Sequence, residues 1–376
     1  ASFETLFTYF EKEPFGQGFK RSRMIIPNNV ISYGNEDRET EMKISKNTSN
    51  RNSEESLLVQ NADLILPWLT HQQLANLSLT SKSLHKLTQT LTLNRISDAS
   101  RNFENFPIPF LNNNNDHNVN HPYSYFLYTP SLLSTTNIPR YQPWGGNSVT
   151  STNPKTIDND HDESVSFVDV VGCDCGEVCG DGCVCFGFYD DVGRECGPSC
   201  FCEVGCGNRV SQNGVAVRVK IVRCGEKGWG LFADQVIPKG QFLFHYAGEL
   251  LTTKEAQRRQ QYYDELSSRG RFFSALLVVR EHLPSGNACL RLNIDATRIG
   301  NVARFVNHSC DGGNLSTKLI RSTGALFPRL CFFALKDIQK DEELTFSYGE
   351  IRKRSNGLPC YCNSPSCLGT LPSEDT

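Results

Sequence analysis

The chain has 376 residues. That is enough for two or three structural units at about 150 residues each. Its 38 Lys and Arg nearly balance 41 Asp and Glu, and a net charge of −3 excludes a general polyanion binder. It is 38 % hydrophobic, and no run of roughly 18 apolar residues is present to cross a membrane. The N-terminal stretch holds Glu4, Glu11 and Glu13 without a continuous apolar core, so no secretory signal is expected there.

Residues 1–55 are polar and lack sustained periodicity, which predicts disorder. Their aromatic start (Phe3, Phe7, Tyr9, Phe10) leaves a short amphipathic binding helix as an alternative. Over 56–100, leucines recur at helical spacing, interrupted at Pro67. The stretch LPWLTHQQLANLSLTSKSLHKL resembles the second half of an F-box, which implies a Skp-type adaptor as partner. The other reading is a helical pair that packs on itself or on a neighbouring domain. Residues 101–165 run through Pro, Asn, Ser, Thr and Asp and are expected to be a linker, not core.

All 16 cysteines follow residue 172. In a chain without a secretory signal, clustered cysteines point to metal ligands before disulfides. Cys173, Cys175, Cys179, Cys183, Cys185, Cys196, Cys200, Cys202 and Cys206 fall within 166–212. Three tetrahedral zincs need twelve ligand positions. Nine thiolates supply them if three of the nine each bridge two metals. So little apolar sequence separates these cysteines that metal must replace a core. Such zincs have no spare ligand position, and the cluster reads as a brace. The same stretch carries Asp174, Glu177, Asp181, Asp190, Asp191, Glu195 and Glu203 against Arg194. This predicts either an acidic surface that attracts a basic peptide or a solvated acidic loop.

From 213 the pattern turns to short strands bounded by Gly, Pro, Asn or charge. One helix interrupts them at about 253–268, opened by a capping box of Thr252 and Glu255. Near the end, Cys360, Cys362 and Cys367 leave a tetrahedral zinc one ligand short. Cys224, Cys289, Cys310 and Cys331 are the candidates. Cys310 lies in a polar loop, whereas the other three sit in or beside apolar strands and are expected to be buried.

Four segments acquire meaning together: EKGWGLFA (226–233), FHYAGELL (244–251), RFVNHSC (304–310) and ELTFSYG (343–349). In this order, between the two cysteine motifs, they resemble a SET-domain histone-lysine methyltransferase of the Su(var)-related class, plant SUVR type. The cysteine motifs resemble its pre-SET and post-SET elements. The resemblance covers about 168–370. It implies a mainly β fold: a SET-domain β-fold over 213–352 with a knot-like C-terminal crossing. A pre-SET zinc segment and a small helical module precede it, and a post-SET zinc tail over 353–376 follows.

The resemblance also implies roles. Lys227, Gly228, Trp229, Gly230, Asn307, His308 and Tyr348 would hold S-adenosylmethionine. Tyr348 and Tyr246 would be catalytic, and Tyr246 and Phe346 would line the lysine channel. Zinc would bind the nine pre-SET cysteines, and Cys310, Cys360, Cys362 and Cys367. The implied substrate is histone H3, at lysine-9, receiving two or three methyl groups on chromatin in the nucleus. An adaptor or chromatin-binding module with an inactive SET domain, or an enzyme for a non-histone lysine, are the other readings. Two positions depart from the family pattern. Asp311-Gly312-Gly313-Asn314 inserts a glycine and is expected to lengthen a turn. Phe272 or Phe273 replaces a tyrosine, at the expected cost of one cofactor hydrogen bond.

Overall fold

The computed structural model describes residues 57–112, 126–134, 172–180, 182–185, 187–189, 192–269, 272–282, 289–349 and 358–372. The disorder and the aromatic helix expected over 1–55 lie outside them. So do Asp181, Asp190 and Asp191 of the acidic stretch. No described helix is long and apolar enough to cross a membrane.

The leucine-rich stretch forms the expected helices: α1 (Ala62–Ile65), α2 (His71–Ser78) and α3 (Lys82–Ser97). Pro67 falls in the first turn of a 3₁₀ segment, Leu66–Trp68, where its missing N–H costs little. Thr70 opens α2 with a complete capping box, its hydroxyl accepting from Gln73 N at 3.3 Å and its own N–H donating to Gln73 Oε1 at 2.9 Å. Ala62, Leu66 and Leu74 form a small core with Leu69, Leu77, Leu87 and Leu91. The 3₁₀ turn closes on Leu66 O and leaves the carbonyls of Pro67 and Leu69 without helical partners. Buried Arg95 satisfies them, its guanidinium donating to Leu66 O, Pro67 O and Leu69 O.

The linker expected over 101–165 is corrected where it is described. Ile108, Phe110, Phe126 and Tyr128 are all buried in the main core. Phe110–Leu111 (β1) runs parallel to Ile221 and Val222. Leu127–Tyr128 (β2) runs parallel to Ile299 and Gly300, and Leu133–Ser134 (β3) to Glu249 and Leu250. Polar anchors fix the stretch. Asp98 accepts from Ser100 N and Ile108 N at 2.9 Å each. Glu104 accepts from the Tyr128 hydroxyl at 2.6 Å and from Val215 N at 2.7 Å. Strands two residues long carry no periodicity, so apolar pieces within an Asn-rich context read as linker.

The remaining strands are β4 (Gly187–Tyr189), β5 (Val192–Glu195), β6 (Val219–Arg223), β7 (Trp229–Ala233), β8 (Phe242–His245), β9 (Gly248–Leu251), β10 (Leu276–His282), β11 (Cys289–Gly300), β12 (Asn307–His308), β13 (Leu315–Ser322), β14 (Arg329–Ala334) and β15 (Thr345–Phe346). They form small sheets in the orders β1-β6-β7, β10-β11-β9-β3 with β2 beside β11, β4-β5-β13-β14-β8, and β12-β15. The alternation expected over 215–222 holds, with Val215, Val217, Val219 and Ile221 all buried.

The single α-helix among the described residues of this region, α4 (Thr253–Arg269), starts where expected, with the Thr252 hydroxyl accepting from Glu255 N at 3.3 Å. The reciprocal half of the expected box is replaced. The Glu255 carboxylate pairs with Arg258 and Arg259, and that pairing pulls its pKa down to about 2.

Candidate active site

The segment around Gly228 begins as a 3₁₀ turn, Gly225–Lys227, and enters β7 at Trp229. Gly228 has φ +88°, a left-handed conformation that side chains disfavour. At Gly230 the reason for glycine is space. A Cβ would stand 2.9 Å from Glu343 Oε1, 3.0 Å from Asn307 Nδ2 and 3.1 Å from Cys224 Sγ. The carboxylate of Glu343 ties this corner together, taking Lys227 Nζ at 2.7 Å and Asn307 Nδ2 at 2.8 Å. Asn307 also donates to Trp229 O at 3.3 Å. Four of the residues expected at the cofactor thus meet around a carboxylate to which sequence reasoning gave no role.

The expected crossing is present. Asn307 and His308 in β12 run parallel to Thr345 and Phe346 in β15. On its other side, Thr345 N donates to Asn314 Oδ1 at 2.9 Å, and Asn314 N to Thr345 O at 3.1 Å. The 345–346 segment is therefore held between both limbs of the 307–314 loop. In the loop with the extra glycine, Gly312 and Gly313 are both at positive φ. A Cβ on Gly313 would stand 2.4 Å from Thr345 O. Asn314 was named only as part of the departure. Its amide also donates to Glu343 O at 2.8 Å, so the departing loop supplies a clamp on the strand that leads to Tyr348.

Both tyrosines are placed through their hydroxyls. Tyr348 donates to Val306 O at 2.8 Å, and Tyr246 donates to Ala275 O at 2.8 Å. Tyr348 is 38 % exposed as a residue, but desolvation of its hydroxyl, then the Glu343 charge, pushes the phenol above its ordinary value. Burial, then the nearby Tyr348, does the same to Tyr246. Both hydroxyls are protonated donors in this arrangement. Phe346 is buried, its ring centroid 5.0 Å from that of Tyr348 and 5.0 Å edge-on from that of Phe332. The expected tyrosine replacements differ in setting: Phe272 packs 5.4 Å from the Tyr263 ring, whereas Phe273 is exposed.

His308 links this site to the tail cysteines. Its Nδ1 accepts from Tyr348 N at 3.1 Å, and its Nε2 lies 3.2 Å from Cys310 Sγ. A backbone N–H is only a donor, so Nδ1 is unprotonated and the neutral ring carries its proton on Nε2. The proton points at the sulfur. The sulfurs of Cys310, Cys360, Cys362 and Cys367 lie within 4.8 Å of one another. Cys310 is thus the fourth member, as expected. Of the rejected candidates, Cys331 is fully buried, but Cys224 is only half-buried and Cys289 is exposed. Cys289 opens β11 at the end of a hairpin, so its apolar neighbours do not cover it.

In the first cluster the sulfurs of Cys173, Cys179 and Cys196 stand 3.5–3.7 Å apart as a triangle. Cys175 and Cys183 complete a four-sulfur group with Cys173 and Cys179. Cys185 contacts Cys200 at 3.5 Å, while Cys202 and Cys206 lie against Cys179. All of these cysteines are unpaired. N–H groups point at the sulfurs: Asn208 Nδ2 at Cys196 (3.3 Å), Arg209 at Cys202 (3.4 Å) and Gly197 N at Cys200 (3.3 Å). Thiolates bound to metal retain charge and accept such bonds, so the donor set fits zinc. Asn208 and Arg209 carry no sequence signal. The acidic surface loses one member: Glu195 is buried, accepting from Ser211 N and from Arg329.

Residues 228–349 match the family model of the SET domain. The chain is 52 % identical over 328 residues to the histone-lysine N-methyltransferase SUVR3 of Arabidopsis thaliana, covering 84 % of this chain and 91 % of that protein. The chain belongs to the SET-domain histone-lysine methyltransferases. It is also 31 % identical over 189 residues to the H3 lysine-9 specific SUVH5 of Arabidopsis thaliana, covering 47 % of this chain and 21 % of that protein. Among solved structures it is similar to KRYPTONITE in complex with mCHH DNA, an H3(1-15) peptide and SAH. There the TM-score is 0.53 at 26 % identity, covering 73 % of this chain and 53 % of that one. The chain is accordingly an S-adenosylmethionine-dependent enzyme of chromatin that methylates histone lysine, with cysteine clusters that bind zinc.

Proposed function

We propose that this SET-domain enzyme methylates lysine-9 of histone H3 in the nucleus, adding two or three methyl groups. Three zincs in the first cysteine cluster and one at the tail would support it. The boundaries 166–212, 213–352 and 353–376 are read as pre-SET, SET and post-SET segments. The observation that carries the reading is the convergence of Tyr246, Tyr348 and Phe346, with both hydroxyls engaged by main-chain carbonyls. The SUVH5 and KRYPTONITE likenesses favour the H3 tail, and position 9 falls within the H3(1-15) peptide of the latter.

S-adenosylmethionine supplies a methyl group on a sulfonium. The protein must deliver a neutral amine to it, although a free lysine has a pKa near 10.4. A channel walled by Tyr246, Phe346 and Tyr348 disfavours the ammonium by desolvation. The tyrosine protons are committed to Ala275 O and Val306 O, which leaves oxygen lone pairs free to accept an amine N–H. Such a contact orients the nitrogen lone pair, and most of the rate comes from that alignment. Methyl transfer from labelled cofactor to a panel of histone peptides, read by mass spectrometry, tests the substrate. Label on lysine-9 as di- or trimethyllysine is expected, and label confined to another lysine would overturn it.

Phe346 bears on the number of methyl groups. A hydroxyl there would give a water beside the amine a further partner and hold it in the space that a second methyl needs. Phe346→Tyr is therefore expected to shift the product toward monomethyllysine with total turnover largely kept. An unchanged ratio of mono- to higher methylated peptide over time would mean that Phe346 does not set the product.

The helical module supports a second reading, that residues 56–100 dock a Skp-type adaptor. Leu64, Leu79 and Leu93 project from it, 71 %, 75 % and 66 % exposed, while Leu66, Leu69, Leu74, Leu77, Leu87 and Leu91 pack together. The full chain should retain a purified Skp-type protein in a pull-down, and Leu79→Asp should abolish retention. No retention by the unaltered chain would leave only the self-packing role.

A further inference from the structure

The Tyr246 hydroxyl is aimed by a carbonyl that does not belong to a regular strand. Ala275 lies just before β10. Its oxygen accepts from both the Tyr246 hydroxyl at 2.8 Å and Ala296 N at 3.0 Å. Its N–H donates to Thr297 Oγ1 at 2.9 Å. Thr297 is set in turn by Asp295, whose Oδ1 accepts from Thr297 N at 3.0 Å. Asp295 is fully buried, and its Oδ2 accepts from the Tyr263 hydroxyl at 2.8 Å and from Arg259 at 2.7 Å. The Thr297 hydroxyl also lies against the Tyr263 oxygen and favours its ionised form, although burial raises the phenol overall.

A continuous set of hydrogen bonds therefore runs from α4 through Asp295 and Thr297 to the Ala275 peptide and the Tyr246 hydroxyl. Asp295 has a cationic partner. Arg259 meets Glu249 and Glu255 as well as Asp295, so the buried carboxylate is neither unpaired nor free to move. Packing alone requires no such chain. Asp295 is already held in β11 by Leu276 of β10 and Glu249 of β9, and an apolar residue in place of Tyr263 would fill the same space. What the polar groups add is direction: they fix the orientation of one peptide, and hence where the Tyr246 oxygen lies.

We propose that Tyr263 and Thr297 are positioning residues of the methyl-transfer reaction, holding the Tyr246 hydroxyl in place through the Ala275 peptide. The proposal rests on Tyr246 lining the lysine channel. It places a determinant of turnover on α4, which contributes no channel residue itself.

The test is a double-mutant cycle in the full-length enzyme, followed by kcat and KM for an H3 peptide and by thermal melting. Tyr263→Phe removes the hydroxyl and keeps the ring that packs on Phe272. It should lower kcat about tenfold with peptide KM changed less than about twofold, the size expected when one hydrogen bond is lost. Thr297→Val should do the same, and Thr297→Ser, which keeps the hydroxyl, should restore the rate. Ile338→Val, in the core among residues not tied to Ala275, serves as a variant of reduced stability and unchanged kcat.

The deciding measurement combines Tyr263→Phe with Tyr246→Phe. If Tyr263 acts through the Tyr246 hydroxyl, the double variant should be no slower than Tyr246→Phe alone, because nothing remains to be positioned. Rate losses that multiply would overturn the proposal while leaving the channel reading intact. An unchanged rate in Tyr246→Phe alone would overturn the channel reading, and the proposal with it.

Discussion

Tyr348→Phe should lower kcat by about two orders of magnitude, the loss seen when a preorganised hydrogen-bonding group is removed from a reacting centre. Cofactor binding and peptide KM should change little. The ring is held by groups that the substitution leaves alone: its centroid is 5.0 Å from Phe346 and 5.2 Å from His308, and its backbone N–H donates to His308. Val306 O loses its donor, which costs about 1–3 kcal/mol of stability if nothing replaces it. That is too little to unfold a domain held by several small sheets, so melting and activity separate. The contrast with Tyr246 is informative. Tyr246 is placed by Ala275, before the first strand of a hairpin, whereas Tyr348 is placed by Val306, inside the crossing itself. The crossing is hydrogen-bonded on both sides, by β12 and by Asn314. Tyr348→Phe should therefore cost more than Tyr246→Phe. A loss below about fivefold would mean that the amine is oriented by other groups.

The features legible in the sequence were those whose chemistry is local. Cysteines a few residues apart announce a metal whatever surrounds them, and the polar loop around Cys310 singled it out from the other candidates. Asn307-His308 and Tyr348 were marked by short motifs whose order resembles that of the SET domain. What escaped depends on contacts between distant positions. Glu343 takes its meaning from Lys227, 116 residues earlier. Glu104 takes its meaning from Val215, 111 residues later. Two-residue strands such as Phe110–Leu111 are defined by their partner and not by their own pattern. Glu195 shows the converse error. In sequence it belongs with exposed Asp174 and Glu177, yet alternation along β5 turns it inward to Arg329. A charge run is a surface only when its backbone does not alternate.

Glu195 lies on the strand that joins the first cysteine cluster to the sheet leading to Tyr246. β5 runs parallel to β13, which pairs with β14, which pairs with β8. The residue after β8 is Tyr246. Cys196 follows β5 directly, is fully buried, and sits in the sulfur triangle with Cys173 and Cys179. A sulfur at such a corner is placed to bridge two metals, whereas exposed Cys175 belongs to a single group of four. If the proposed count of four zincs per chain holds, Cys196→Ser should lower it to about two, and Cys175→Ser to about three or more. Because structural zinc supplies about 10–16 kcal/mol of folding free energy in small zinc domains, the first variant should lose the folded 172–212 segment. The sheet edge would go with it, and activity would fall below detection. The second variant should melt lower but still methylate. Elemental analysis, melting and methyl transfer on both proteins check this. Equal zinc loss in the two variants would mean that Cys196 is not shared, and a different arrangement of the nine thiolates would then be required.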